Sequence, residues 1–91
     1  MSQQEDKLIS FQTPFIDRVS RPVLDRLLDE LFVRGVINDY EMDSFREMRP
    51  RADKARAVIE MVRLKGRAAS SVLIEALREV DPFLSAELFS A

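Results

Sequence analysis

The chain has 91 residues, enough for one domain around one core, since single domains mostly run ~50–200 residues. Its 46% hydrophobic and 33% charged content lies far from the profile of a disordered chain, and 14 bases against 16 acids leave a formal charge of −2. With no Cys and no His, the sequence excludes a disulfide framework, the usual zinc ligand sets, a thiol nucleophile and an imidazole base, and with them most hydrolase chemistry.

In chain order, Leu8, Phe15, Ile16 and Val19 predict a first helix that Pro14 should kink or split. Val23, Leu24, Leu27, Leu28, Leu31 and Phe32 then form an apolar stripe at helical spacing, which starts at Pro22 and stops before Gly35. Asn38 with Glu41 three residues on has the pattern of a capping box, and Met42, Phe45 and Met48 give the short helix behind it an apolar face that ends at Pro50. From Arg51 the stripe Ala55, Val58, Ile59, Val62 predicts a fourth helix, closed at Gly66 by a residue suited to left-handed backbone. Ala69, Val72, Leu73, Ala76, Leu77 and Val80 make a fifth, and Asp81-Pro82 caps a sixth through Phe83, Leu84 and Leu88. The expected core is Val23, Leu24, Leu27, Leu28, Leu31, Phe45, Ala55, Val58, Ile59, Val62, Val72, Leu73, Ala76 and Leu77. Six helices on connections of about two to five residues predict an all-α bundle of antiparallel neighbours, a single domain over residues 1–91.

Charge is segregated along the chain. Residues 25–43 carry six acids and two bases, residues 46–67 carry eight bases and three acids, and the last 24 residues turn acidic again. Two oppositely charged faces on one domain fit head-to-tail self-association, and they equally fit charges that merely solvate the outer faces of helices.

Several residues together resemble a known family. Leu27-Leu28-Asp29-Glu30-Leu31 on the second helix, Asp53-Lys54 with Arg56-Ala57 and Ile59 on the fourth, Lys65-Gly66 and the closing Leu-Phe-Ser-Ala are similar to a caspase recruitment domain, or CARD, above all to those of inflammatory caspases and their decoy relatives. The resemblance extends from about Leu8 to Ala91. It implies a death-fold Greek-key bundle of six antiparallel helices without an active site, which binds other CARDs and itself and often polymerises into filaments that bring caspase domains together. It further implies that an acidic patch on the second and third helices meets a basic patch on the first and fourth. The matching acids are Asp25, Asp29 and Glu30, with Asp39 and Asp43 nearby; the matching bases are Lys54 and Arg56, with Arg51 and Arg63 as neighbours. Helical geometry agrees for the acids: at 100° per residue Asp29 stands nearly opposite the core stripe, with Asp25 on the same outer ridge. Arg56 is the better suited base for a specific carboxylate contact, because a guanidinium pairs bidentately. The first helix departs from the family pattern, offering only Lys7 and Arg18 where several bases are usual, with Gln12 and Asp17 at places a base would take.

The expected function is therefore a homotypic CARD–CARD module that recruits or regulates a caspase in inflammasome or apoptotic signalling, and not an enzyme. Its partners would be the CARDs of a caspase, an adaptor or a sensor. The alternative is a small helical nucleic-acid binder using residues 46–67, against which stand a sequence pI of about 5.1 and the lack of aromatic residues interleaved with those bases. No cofactor or metal site is expected: the pairs Asp25/Asp29, Asp39/Asp43 and Glu75/Glu79 lack a calcium loop, and Ser70 and Ser71 lack a base to activate them. Met42, Phe45, Met48 and Met61 are expected to fill the core, while Tyr40 is open to a surface or a packed position. The lack of Cys fits a reducing compartment, so a cytoplasmic location is expected, and apolar runs of at most three residues offer neither a membrane span nor a signal-peptide core.

Overall fold

A computed structural model of the chain describes residues 12–89, which form six helices and, among the described residues, no strand. They are α1 (12–18), α2 (Arg21–Val33), α3 (Asp39–Glu47), α4 (Arg51–Lys65), α5 (Arg67–Val80) and α6 (Pro82–Phe89). Leu8 and the upstream part of the expected first helix lie outside the described residues. Within them Pro14 sits in the first described turn, where its missing N–H interrupts no described hydrogen bond, and α1 turns Phe15, Ile16 and Val19 into the core.

Local chemistry sets the helix boundaries. The Ser20 hydroxyl accepts the Val23 N–H at 3.2 Å, with Pro22 in the first turn of α2, and Arg34 and Gly35 close that helix. At α3 the capping box is complete: the Asn38 side chain accepts the Glu41 N–H at 2.8 Å, and the Glu41 carboxylate accepts the Asn38 N–H at 3.0 Å. Asp81 serves both neighbours, its N–H donating to Leu77 O at 2.8 Å to close α5 and its carboxylate accepting the Leu84 N–H at 3.0 Å to open α6.

Helix α5 is the hub, packing on α2, α4 and α6. Leu24, Leu27, Leu28 and Leu31 from α2, Ala55, Val58, Ile59 and Val62 from α4, and Leu73, Ala76 and Leu77 from α5 are buried as expected, as is Phe45. Val23 and Val72, expected inside, are only partly buried at the edge of their stripes. The core also takes in Ile37 from the α2–α3 connection, Met42, Ala69, Ile74 and Leu84. Met48 and Met61 pack partly buried against it. The connections are tighter than expected, since α4–α5 and α5–α6 each turn on one residue, Gly66 and Asp81. Gly66 makes the first possible by adopting φ 105° and ψ −171°, a region closed to residues with a Cβ.

Candidate interaction surfaces

Two helices carry the surfaces of interest. On α2, Asp25 and Asp29 lie one turn apart on the outer side, and both are exposed. Glu30 is half-buried and engaged with Arg34 four residues on, at 3.2 Å. Asp39 and Asp43 are exposed on α3, and Asp43 faces Arg46 at 3.7 Å. On α4, Arg56 and Arg63 are exposed, with Arg56 held at 3.4 Å from Asp53. Asp29 and Arg63 form no ion pair with any described residue.

Two of the expected basic residues are turned inward. Lys54, expected on the basic surface, is 5% exposed, and its ammonium donates to Asp25 Oδ1 at 2.7 Å within the same chain. The correction has a simple cause. Position 54 borders the Ala55, Val58, Ile59, Val62 stripe, so the lysine's four-carbon stem packs as apolar surface while its head reaches the Asp25 carboxylate across the α2–α4 seam. Arg51 is likewise engaged, its guanidinium donating to the carbonyls of Ile16 and, at 2.9 Å, Val19, the end of α1 where carbonyls have no helical partner. Asp25 and Lys54 are thus partners of each other, while Asp29 and Arg56 keep their outward positions.

A cleft opens along the acidic side of α2. It is lined by Arg21, Asp25, Leu28 and Asp29 from α2, by Met42, Arg46, Glu47, Met48 and Arg49 from α3 and the chain after it, and by Lys54 from α4. The Arg21 guanidinium donates to the Arg49 carbonyl and ties α2 to the chain after α3. Asp29 therefore stands in a setting of both signs, with Asp25 and Glu47 as well as Arg21, Arg46 and Arg49 along the same cleft, and not on the uniformly acidic patch that the charge count implies.

Other ion pairs fasten the helices to one another. Arg34 reaches Glu79 at 2.9 Å and Glu75 at 3.5 Å as well as Glu30, and the bond to Glu79 is the main reason its guanidinium holds its proton more tightly than usual. Lys65 meets Glu41 at 3.0 Å, and Arg18 meets Glu87. The Asn38 N–H, and after it Lys65, keep the Glu41 carboxyl below its ordinary range. These long-range pairs leave no periodic signal in the sequence, and Arg34 could not have been singled out there. Tyr40 is solvent-facing, at 80% exposure. The Ser70 hydroxyl is buried and donates to the Gly66 carbonyl at 3.1 Å, closing the turn it follows. Among the described residues no three acidic side chains converge as a metal site, and no helix is long and apolar enough to cross a membrane.

Comparison with known proteins gives one consistent result. The family model described as caspase recruitment domain matches residues 6–91. Caspase-1 of Equus caballus is 39% identical over 75 residues, 81% of this chain and 18% of that protein, and caspase-1 of Felis catus matches to the same extent. Baculoviral IAP repeat-containing protein 3 of Canis lupus familiaris is 33% identical over 63 residues, 69% of this chain and 10% of that protein. The chain spans less than a fifth of the length of each of these relatives.

Proposed function

The chain belongs to the caspase recruitment domain family, non-catalytic modules of homotypic protein interaction linked to caspases, and from that premise we propose that it recruits or regulates a caspase in inflammasome or apoptotic signalling by binding another CARD through complementary charges. The observation that carries the proposal is the exposure of Asp29 on α2, free of any ion pair with the described residues, together with that of Arg56 and Arg63 on α4. An exposed carboxylate on one copy and exposed guanidinium groups on another supply opposite ends of a heterologous contact, which leaves a free face at each end and so propagates. Asp39 and Asp43 extend the acidic side, and the partner is a caspase, adaptor or sensor CARD or a second copy of the chain, in the cytoplasm.

Arg51 and Lys54 belong to the basic stretch on which a nucleic-acid reading would rest, and both spend their charge inside the domain. A titration of this domain against the isolated CARD of a caspase-1 tests the proposal. The parent should bind, and Asp29→Lys and Arg56→Glu should each weaken binding at least about tenfold, the loss typical of a charge at the centre of a contact. Binding unchanged by both reversals would rule out the charged faces as the means of recognition.

A further inference from the structure

The chain has three lysines, Lys7, Lys54 and Lys65, and the last two lie among the described residues. Both are ion-paired, Lys54 with Asp25 and Lys65 with Glu41, but they differ in access: the Lys54 side chain is 6% accessible and that of Lys65 is 33% accessible. The corner around Lys65 is also uncovered. Leu64 is 84% exposed, Arg67 is exposed, and beyond its chain neighbours nothing stands within 4 Å of where a Cβ on Gly66 would be. A reaction directed at primary amines therefore reaches one of these two lysines and not the other.

Lys65 also has a structural task. From the last residue of α4 it reaches Glu41 Oε2 at 3.0 Å, in the first turn of α3. Helix α3 has nine residues and buries only Met42 and Phe45, so this polar tie at its start supplements a small apolar hold. The same Glu41 carboxylate caps α3 by accepting the Asn38 N–H at 3.0 Å. Cap and tie use different donors. Removing the charge on Lys65 therefore leaves the cap in place and takes away the tie between α3 and α4.

We propose that Lys65 is an acylation site, taking its acyl group from a thioester donor of the coenzyme A class, and that the modification releases the start of α3 from α4. The ammonium first gives one proton to solvent. The free amine then attacks the thioester carbonyl carbon, a C–N bond forms as the C–S bond breaks, and the departing thiolate takes the second proton that the nitrogen loses. A neutral amide replaces the cation, and Glu41 is left with the Asn38 N–H alone. Because α3 carries Met42, Arg46 and Glu47 of the cleft beside α2, one amine governs how firmly a cleft-lining helix is held.

The test uses the whole 91-residue chain in two arms. In the first, the protein is incubated with acetyl coenzyme A at mildly alkaline pH and its peptides are followed by mass spectrometry. Lys65 should be acetylated at least about tenfold faster than Lys54, whose amine reacts only when the α2–α4 seam opens. Equal rates, or a faster Lys54, would overturn the site. The second arm measures amide hydrogen exchange over residues 39–47 and over α5. Lys65→Gln, which is neutral like the amide, should speed exchange in α3 about two- to fivefold, the effect of losing a partly exposed ion pair, while Lys65→Arg keeps the parental rate. Exchange in α5 should not change in either variant. Parental exchange in Lys65→Gln would contradict the release of α3, and faster exchange in α5 as well would replace it with a loss of stability throughout the domain.

Discussion

At the scale of single residues, Asp25 and Lys54 illustrate how a charge pattern can mislead. Both lie where the resemblance places an intermolecular contact, yet they are spent on each other inside one molecule. The two partners are unequal: the Lys54 side chain is 6% accessible and that of Asp25 is 53% accessible. Removing the acid leaves a nearly enclosed ammonium without its counterion, whereas removing the base leaves a carboxylate that water can reach. Asp25→Asn should therefore cost about 1–3 kcal/mol in chemical denaturation and Lys54→Met less than about 1 kcal/mol, since a buried ion pair is dearer to break than to replace. Equal losses would contradict the asymmetry. Asp25 is accordingly a poor probe of assembly, because its variants mix a folding defect with any interface defect. Glu41 makes a second prediction. Its carboxyl is held low by the Asn38 N–H and by Lys65, so the stability it contributes is complete above the unfolded carboxylate value near ~4.3 and is lost as pH falls through the lower folded value. Between neutral pH and about pH 3 the thermal midpoint of the parent should fall further than that of Glu41→Gln, which has no such proton to take up. Parallel curves would place the acid sensitivity elsewhere.

At the scale of elements, the helices were legible because each announces itself twice, by an apolar stripe and by a chemical stop. Asn38 with Glu41 and Asp81 with Pro82 form the caps that their spacing implies. What periodicity could not supply is which flank of a stripe a neighbouring helix covers. Val72 and Ile74 stand on either side of Leu73, and only the packing of α5 decides that Ile74 is buried while Val72 is partly exposed. Lys54 is hidden for the same reason. Nor could the sequence show that the α4–α5 connection is Gly66 alone. A Cβ there would meet nothing within 4 Å, so the cost of Gly66→Ala is pure backbone strain. We expect about 1–3 kcal/mol. A loss below a few tenths of a kcal/mol would mean that α4 and α5 can join at another angle. Leu73→Ala, at the centre of the hub helix, should cost more, about 2–5 kcal/mol from lost burial and a residual cavity.

At the scale of the whole molecule, some charges are used in ion pairs between helices and others stay exposed on the surface. Asp25–Lys54 joins α2 to α4, Glu41–Lys65 joins α3 to α4, and Arg34 fastens the end of α2 to α5, all within one copy. Among the charges left outward are Asp29 on α2 and Arg56 and Arg63 on α4. The fold rests mainly on an apolar core, and the contact proposed above would rest on exposed charge. Raising salt from about 0.05 to about 0.5 M should therefore suppress assembly strongly and move the thermal midpoint little. The most direct measurement of the central claim is light scattering on a mixture of Asp29→Lys and Arg56→Glu proteins. Each variant alone has two faces of like sign and should fail to assemble. In the mixture, Asp29 of one protein meets the retained Arg56 of the other, and the introduced Lys meets the introduced Glu, so complexes larger than a monomer should form. Assembly by Asp29→Lys alone at the parental concentration, or none in the mixture while the parent assembles, would contradict recognition through these two charged faces.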